Sequence, residues 1–296
     1  MFFRVLKEDE MSGMVALIGA GQMGCGIAQV FATAGYDVSV YDVSQDVLDK
    51  SKIRIEHSLS KLSEKDQIKE SPAAILSRIN FVTKMSELAG SHIFIESAFE
   101  SFDIKTNILY ELANYLTKDS YVASNTSSFS ITSMAQMLPC PDRFIGFHFM
   151  NPPPLMQLVE VIRGYHTSDE TFRYFWALAK RLGKYPIAAK NAPGFVLNRV
   201  LIPMINEAIY VLYNNVSTVE QIDDAMKLGA NHPMGPLALA DLIGLDTILA
   251  ILKTMQRELG EKDKYKPCPL LEEYVEKGFL GRKSKRGFYE YRNIKS

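Results

Sequence analysis

The chain has 296 residues, a length that suits two domains better than one. Apolar residues make up 47% of it, which is enough for a sizeable core but too few for a membrane protein. The 33 Lys and Arg residues balance 34 Asp and Glu residues, so the net charge of −1 lacks the basic excess of nucleic-acid-binding proteins. We therefore expect no nucleic-acid partner, and no membrane partner, because no stretch reaches the roughly 18 apolar residues of a spanning helix.

The three cysteines are Cys25, Cys140 and Cys268. They are odd in number and far apart, and their spacing matches neither a zinc site nor a disulfide framework. We therefore expect no metal and a location in the reducing cytoplasm. Residues 1–12 are interpreted as an extension ahead of the fold, because their apolar run is too short for a secretory signal.

Short apolar runs alternate with helical stretches through the first two thirds of the chain. Met14–Ile18 predicts a buried strand, and Gln22–Ala34 predicts a helix that ends at Gly35. Further helices are predicted within Val43–Glu70 and over Thr171–Leu182. Further strands are predicted at Asp37–Tyr41, Ile79–Val82, His92–Glu96, Tyr121–Ala123, Phe144–Phe149, Gln157–Ile162 and Pro186–Ala189. Alternation of this kind predicts a parallel sheet wrapped by helices.

The pattern changes after the sequence Asn-Ala-Pro-Gly at 191–194. Phe195–Tyr213 is apolar nearly all round, which predicts a buried helix, kinked at Pro203. Helical patterns continue to about Lys277, and only Gly287–Tyr291 resembles a strand. We therefore predict an α/β domain over 13–192, followed by an all-α domain over 193–296.

A glycine-rich motif joins the first predicted strand to the first predicted helix. It consists of Gly19, Ala20, Gly21, Gln22, Met23 and Gly24. In such motifs the first glycine permits the turn, the second lets the backbone approach a pyrophosphate, and the third allows close helix packing. Unpaired N–H groups at the helix N-terminus then attract the phosphates. The motif predicts a Rossmann-type, mostly parallel sheet that binds a dinucleotide.

Asp42 follows the second predicted strand, 23 positions after Gly19 and so close to the expected spacing of about 20. An acidic residue there accepts hydrogen bonds from the adenosine ribose and repels a 2′-phosphate. No arginine follows to hold such a phosphate, so NAD is favoured over NADP. FAD shares the glycine motif but usually needs further binding elements, and a purely structural turn followed by a surface Asp remains the alternative.

His148 and Glu160 flank a turn that contains three consecutive prolines. If the two flanking strands pair about Pro154, the centre of the interval from 148 to 160, these side chains face one another. A histidine paired with a carboxylate can take the proton of an alcohol while a hydride leaves. A wider loop would shift the register, and His148 would then be an ordinary strand histidine.

Five small polar residues follow the strand at Tyr121–Ala123, at the end where open parallel sheets bind ligands. They occupy 124–128, and Ser130 is predicted to cap a helix over Ile131–Leu138. Further along, Asn198 lies in the apolar helix of the second domain. A core hydrogen bond and a substrate contact both remain open for its amide.

With these motifs in place, the chain resembles the L-3-hydroxyacyl-CoA dehydrogenase family, and within it the bacterial 3-hydroxybutyryl-CoA dehydrogenase type. The resemblance runs from Val15 to Tyr291. The matching motifs are GAGQMGCGIA at 19–28, ASNTSS at 123–128, GFHFMNPPPLMQLVEV at 146–161, PGFVLNR at 193–199, NHPMGPLALADLIGLD at 231–246 and LGRKSKRGFYEY at 280–291.

The resemblance implies an NAD-dependent enzyme that interconverts 3-hydroxyacyl-CoA and 3-oxoacyl-CoA, with His148 as general acid and base and Glu160 as its orienting partner. It implies that Ser127 and Asn198 bind the reacting group, and that the helical domain forms a homodimer. It places Ser58 and Lys65 near CoA, two turns apart on one helical face. The residues that it places near NAD are Glu100, Lys105, Ser127, Asn151 and Lys283.

Two other classes of protein are compatible with parts of this pattern. A non-catalytic NAD-binding protein, such as the lens crystallins similar to this family, would not need the intact set of Ser127, His148, Glu160 and Asn198. A β-hydroxyacid dehydrogenase would place a catalytic lysine early in the helical domain, but no lysine occurs between 191 and 226. The chain departs from the family at Lys285, where relatives often have glycine, which leaves the contact of Lys283 open.

Overall fold

The computed structural model describes residues 13–261 and 263–291, so the predicted extension at 1–12 lies outside the described residues. The chain divides into an N-terminal unit, Met1–Ala192, and a C-terminal unit, Pro193–Ser296. In the described part of the chain, no helix combines the length and apolar character needed to cross a membrane.

The N-terminal unit is built on an eight-stranded sheet of order β3-β2-β1-β4-β5-β6-β7-β8. Its strands are β1 Val15–Ile18, β2 Val38–Tyr41, β3 Ile79–Val82, β4 Ile93–Glu96, β5 Tyr121–Ser124, β6 Phe144–Phe149, β7 Leu158–Arg163 and β8 Tyr185–Lys190. Neighbours from β3 to β6 run parallel, β7 is antiparallel to β6, and β8 is parallel to β7. The predicted mostly parallel sheet is confirmed.

Helices connect these strands and cover the sheet. They are α1 Gln22–Thr33, α2 Gln45–Glu64, α3 Pro72–Leu76, α4 Phe102–Leu112, α5 Ile131–Ala135 and α6 Asp169–Arg181. β1, β2, β4, β5 and β6 are buried at every position, as expected for parallel strands covered on both faces. Apolar residues of α1, α2 and α6 complete one hydrophobic cluster with the strands. This cluster fixes the sheet edge from which the functional loops emerge.

The polar stretch at Val43–Glu70 contains a single long helix that ends earlier than the pattern indicated. α2 stops at Glu64, with Lys65 as its C-cap, and the chain turns at Asp66 with a φ of 53°. Ser71 then caps α3 by accepting a hydrogen bond from the Ala74 amide at 3.2 Å. Ser58 therefore lies within the helix, and Lys65 stands at its C-cap, seven positions later.

The C-terminal unit consists of helices around its own apolar cluster. They are α7 Leu197–Tyr213, α8 Val219–Ala230, α9 Pro236–Ile243, α10 Leu245–Leu259 and α11 Pro269–Glu276. The predicted fully buried helix at 195–213 is wrong in two respects. Phe195 has a φ of 46° and precedes the helix, and Val200 is 69% exposed. One face of α7 packs in the core, whereas Val200 and Tyr213 lie outside it and are 69% and 47% exposed.

The segment at 287–291 is held by a carboxylate and forms only isolated bridges among the described residues. Asp241, 1% exposed, accepts hydrogen bonds from the amides of Phe288 and Tyr289 and from the Tyr291 hydroxyl, each at 2.9 Å. A Cβ on Gly287 would lie 1.9 Å from Asp241 Oδ1. The glycine is therefore required for this close approach of backbone and carboxylate.

Lys285 carries a left-handed backbone, with a φ of 61°. Glycine adopts this conformation without the clash that a Cβ creates, which explains why glycine suits this position. We expect Lys285→Gly to raise the free energy of unfolding by about 0.5–1 kcal/mol. Urea titration of the two proteins measures the difference. Lys285→Ala keeps the Cβ and serves as the control, so an equal gain in that variant would contradict the backbone argument.

Candidate active site

The carboxyl ends of β1, β2, β4, β5 and β6 meet at one edge of the sheet, because these strands run parallel. The loops that leave this edge carry most of the residues singled out in the sequence. Ligands of open parallel sheets bind at this edge. The geometry of the individual loops defines what each can hold.

The glycine-rich turn has the geometry that its sequence predicts. Gly19 has a φ of 101°, and a Cβ there would lie 2.6 Å from the carbonyl oxygen of Ser97. A Cβ on Gly24 would lie 1.9 Å from the Gly19 oxygen, whereas a Cβ on Gly21 would meet no atom within 4 Å. The first glycine thus makes the turn, the third permits close packing, and the second leaves open space above the backbone.

The N-terminus of α1 faces the same turn. Gly21 is its N-cap, and among the described residues no side chain caps it and no acidic residue lies in its first turn. Asp42 lies beside it: its carboxylate accepts hydrogen bonds from the Ala20 amide at 2.9 Å and from the Ser44 amide at 3.1 Å. A helix end that supplies donors, next to a carboxylate that supplies acceptors, fits a dinucleotide whose pyrophosphate and ribose need these partners.

His148 and Glu160 are directly opposed in the antiparallel pair of β6 and β7. The conditional register about the proline turn is confirmed. The Nδ1 atom of His148 lies 2.7 Å from Glu160 Oε2, and the two residues are 7% and 0% exposed. A carboxylate at this position fixes the ring orientation.

The polar loop after β5 is tied to its neighbouring strands by Asn125. The side-chain Oδ1 of Asn125 accepts a hydrogen bond at 2.8 Å from the backbone N–H of Phe149, the residue after His148. The backbone N–H of Asn125 donates to the carbonyl of Glu96 at 2.8 Å. The predicted cap is confirmed, since Ser130 accepts from the Ser133 amide at 3.2 Å. The loop therefore has a fixed place beside the histidine strand.

A buried ion pair supports this loop from below. Glu96, 0% exposed, accepts a hydrogen bond from Lys105 Nζ at 2.7 Å and another from Ser124 at 2.5 Å. Lys105 is 1% exposed and also contacts Glu100, at 3.2 Å. Sequence reasoning placed Glu96 only at a strand end. An acidic residue that closes a wholly apolar strand, nine positions before a lysine, is the signal that could have identified it.

Glu100 holds the serine loop directly. Its Oε1 accepts hydrogen bonds from the hydroxyls of Thr126 at 2.7 Å and Ser128 at 2.8 Å, and from the Ser127 amide at 3.0 Å. Partial burial alone would raise the pKa of the Glu100 carboxyl, but the Lys105 ammonium and these hydroxyl donors outweigh it, so the pKa lies below its usual value. Glu100 is therefore an anion that positions Ser127.

The proline turn is anchored at two points. Gln22 Nε2 donates to Asn151 Oδ1 at 3.1 Å, which joins the glycine turn to the histidine hairpin. Lys184 Nζ donates to the carbonyls of Pro153 at 2.6 Å and Met156 at 2.8 Å. Burial lowers the pKa of Lys184. Lys184 was missed in the sequence, because nothing local to it indicates a contact some thirty residues away.

The remaining predicted residues lie apart from this edge in the chain. Ser58 is half-buried on α2, and Lys65 is exposed at its end. Asn198 lies half-buried in the first turn of α7 in the C-terminal unit. Lys283, in the same unit, forms an ion pair with Asp246, whose Oδ2 lies 2.6 Å from Nζ. Ser58 and Lys65 thus belong to the N-terminal unit, and Asn198 and Lys283 to the C-terminal unit.

Two family profiles together span almost the whole chain. Residues 14–192 match the NAD binding domain of 3-hydroxyacyl-CoA dehydrogenase, and residues 194–291 match the C-terminal domain of the same family. The chain belongs to the 3-hydroxyacyl-CoA dehydrogenase family. It is an NAD-dependent dehydrogenase, whose Rossmann-type domain precedes a helical domain.

Several relatives align with this family member over nearly their full length. A probable 3-hydroxybutyryl-CoA dehydrogenase of Deinococcus radiodurans is 52% identical, across 93% of this chain and 99% of the relative. The 3-hydroxybutyryl-CoA dehydrogenase of Bradyrhizobium diazoefficiens is 51% identical, across 95% and 96%. The crystal structure of (S)-3-hydroxybutyryl-CoA dehydrogenase from Ralstonia eutropha superposes with a TM-score of 0.90 at 47% identity, across 95% and 99%.

The cofactor of this dehydrogenase is NAD, and the glycine turn, the uncapped end of α1 and Asp42 fit it. Within the described residues, no cluster of three or more His, Cys, Asp or Glu side chains is arranged to hold a metal ion.

We expect Asp42→Ala to weaken the preference for NADH over NADPH. The Asp42 carboxylate lies at the glycine turn, where it would repel a 2′-phosphate, so its loss should reduce the ratio of the two kcat/KM values by about tenfold or more. Steady-state kinetics with both cofactors measure this ratio. Asp46→Ala, which removes an exposed carboxylate in the first turn of α2, is the matched control. A wild-type enzyme that prefers NADPH would contradict the role of Asp42.

Proposed function

We propose that this enzyme interconverts (S)-3-hydroxyacyl-CoA and 3-oxoacyl-CoA, and that its best substrates are the four-carbon pair 3-hydroxybutyryl-CoA and acetoacetyl-CoA. The observation that carries the proposal is the buried His148–Glu160 pair, with 2.7 Å between Nδ1 and Oε2. The names of relatives at about half identity support the four-carbon substrate.

His148 acts as the general acid and base in this proposal. In reduction, bound NADH would supply a hydride to the C3 carbonyl carbon of the substrate. His148 gives a proton from Nε2 to the oxygen, which becomes the hydroxyl. In oxidation the ring takes that proton back. Glu160 keeps Nδ1 engaged, so that Nε2 is the nitrogen that exchanges the proton, and its negative charge compensates the imidazolium.

Ser127 and Asn198 bind the reacting oxygen or the adjacent thioester carbonyl. Support for Ser127 comes from its fixed loop, which Glu100 and Asn125 tie to the strand ends. Hydrogen-bond donors fixed in advance stabilise charge that develops on an oxygen without reorganising during the reaction. The side chain of Asn198, in the first turn of α7, is only half-buried and so is available to a ligand.

The cofactor is held chiefly by the loops at the sheet edge. The turn from Gly19 to Gly24 receives the pyrophosphate, and Asp42 binds the adenosine ribose. Glu100, Ser127, Asn151 and Lys283 lie near the cofactor in this proposal. Lys105 is buried and contacts Glu96 and Glu100, so we assign it a supporting role through Glu100. The domain from 13 to 192 is accordingly the NAD-binding domain.

Ser58 and Lys65 contact CoA in this proposal. Neither residue is buried, and Lys65 places a cation at the end of α2 where a phosphate can reach it. The region from 193 to 296 forms the substrate and dimerisation domain. Val200, which is apolar and 69% exposed in the first turn of α7, supports a homodimer through this domain. The three free cysteines suit a cytoplasmic enzyme.

The oxidation of NADH by 3-oxoacyl-CoA thioesters from C4 to C16 tests the proposed function. We expect the highest kcat/KM with acetoacetyl-CoA. An enzyme that binds NADH but turns over none of these thioesters would instead be a non-catalytic NAD-binding protein. A maximum at C10 or longer would overturn the short-chain assignment and leave the reaction type intact.

A further inference from the structure

Glu96 ends the strand β4 with a carboxylate that is fully buried, at 0% exposure. Its Oε1 accepts hydrogen bonds from Lys105 Nζ and from the Ala98 amide, each at 2.7 Å. Its Oε2 accepts another from the Ser124 hydroxyl at the end of β5. Three donors on one buried carboxylate satisfy its oxygens and fix its position. Glu96 is therefore a rigid charged group directly beneath the sheet edge.

The Lys105 ammonium joins Glu96 to Glu100 in a carboxylate–ammonium–carboxylate triad. Its Nζ lies 2.7 Å from Glu96 Oε1 and 3.2 Å from Glu100 Oε2, and Lys105 is 1% exposed. Two negative charges and one positive charge leave the triad with one net negative charge. The Glu100 side chain is 38% exposed and brings this charge to the sheet edge. Buried charges are screened much less than exposed ones, so the triad acts over a longer distance than a surface carboxylate.

The strand order places this charge under one half of the cofactor. A dinucleotide bound to a sheet of order β3-β2-β1-β4-β5-β6 lies across the junction of β1 and β4, where the order reverses. We assign the adenosine ribose to Asp42, directly after β2. The nicotinamide half would then extend over the ends of β4 and β5, toward His148 on β6. Glu96 and Glu100 lie at the end of β4 and just after it, so their charge would face the nicotinamide.

The two redox states of the cofactor differ in charge at the nicotinamide. The ring of NAD⁺ is a cation, whereas the ring of NADH is neutral, and the rest of the molecule is the same in both. A negative charge beside the ring therefore attracts the oxidised form selectively.

We propose that Glu96, through Lys105 and Glu100, raises the affinity of the cofactor site for NAD⁺ relative to NADH. Glu96 is a positioning residue in this role, because it is fully buried and acts only through its partners. It neutralises Lys105, whose charge would otherwise cancel that of Glu100. The inference rests on the cofactor placement in the proposed function and is independent of the substrate.

Glu96→Gln removes one charge, keeps the shape of the side chain and leaves Lys105 and Glu100 as a neutral pair. We expect the ratio of the Kd for NAD⁺ to the Kd for NADH to rise about two- to tenfold, the effect of a unit charge roughly 10 Å away at the effective dielectric constants of proteins. Calorimetric titration with each cofactor measures both constants without substrate. The Kd for ADP-ribose, which lacks the nicotinamide, should stay unchanged. Thermal unfolding verifies the fold of the variant.

A double variant separates the effect of charge from the loss of contacts. Glu96→Gln/Lys105→Met removes both partners of the buried pair but restores a single negative charge, that of Glu100. Its ratio of Kd values should therefore return to within about twofold of wild type. Asp119→Asn is the matched control, since it removes an exposed carboxylate ahead of β5 and so at the opposite edge of the sheet. Should Glu96→Gln fail to fold, Glu100→Gln removes the same charge from the exposed end of the triad, and the same rise in the ratio is expected.

An equal weakening of NAD⁺, NADH and ADP-ribose by Glu96→Gln would mean that Glu96 only maintains the shape of the site, and it would overturn the proposal. An unchanged ratio in the folded variant would overturn it too. The same holds for a double variant whose ratio departs further from wild type than that of Glu96→Gln. No acyl-CoA enters these titrations, so a failure of the four-carbon substrate assignment would leave their outcome intact.

Discussion

His148→Gln should lower kcat for acetoacetyl-CoA reduction by about 10²–10⁴-fold, the usual contribution of a general acid and base. This corresponds to about 3–5 kcal/mol of lost transition-state stabilisation. The physical reason is that a glutamine amide cannot deliver a proton to the carbonyl oxygen. The affinity for NADH should hardly change, because the cofactor contacts that we propose lie on the glycine turn and Asp42. Stopped-flow turnover and fluorescence titration with NADH measure the two quantities.

His166→Gln is a matched control, since His166 is half-buried in the loop after β7, where its ring contacts Tyr165. Its kcat should equal that of wild type. A kcat for His148→Gln within threefold of wild type would remove His148 from the chemistry. A large loss of NADH affinity in the same variant would show that the histidine supports the cofactor site instead.

Glu160→Gln should lower kcat by about 10- to 150-fold, since it replaces a charge-assisted hydrogen bond worth about 1.5–3 kcal/mol. The carboxylate of Glu160 fixes the orientation of the His148 ring, so the variant should lose kcat while its affinity for NADH stays unchanged.

Steady-state kinetics and fluorescence titration with NADH measure the two quantities. Gln157→Glu changes the charge at an exposed position just before the same strand and should leave kcat unchanged. A kcat for Glu160→Gln within threefold of wild type would mean that Glu160 is only a structural contact of β7.

The positions of the strands, and the register of β6 against β7, could be predicted from the sequence because both depend on nearby residues. Short apolar runs predicted β1 to β8 to within one residue at each end. The pairing of His148 with Glu160 followed from the symmetry of a turn whose prolines exclude ladder hydrogen bonds. The glycine roles were also local, because each depends on a backbone conformation or on a neighbour within a few residues.

Contacts between distant parts of the chain could not be predicted from the sequence. Lys105 looks like an ordinary helical lysine, yet its pairing with Glu96 depends on how α4 packs beneath β4. Lys184 reaches carbonyls about thirty residues earlier. The exposed face of α7 was missed because an all-round apolar pattern cannot distinguish core contacts from an apolar surface. The predicted roles in binding the substrate and the cofactor await the experiments above.

The double variant His148→Gln/Glu160→Gln tests most directly the claim that these two residues act as one acid–base unit. If Glu160 acts only through His148, its removal matters little once the histidine is gone. The account predicts that kcat of the double variant with acetoacetyl-CoA lies within about threefold of that of His148→Gln alone. A kcat reduced by the product of the two single effects, with the fold and NADH affinity unchanged, would contradict the account.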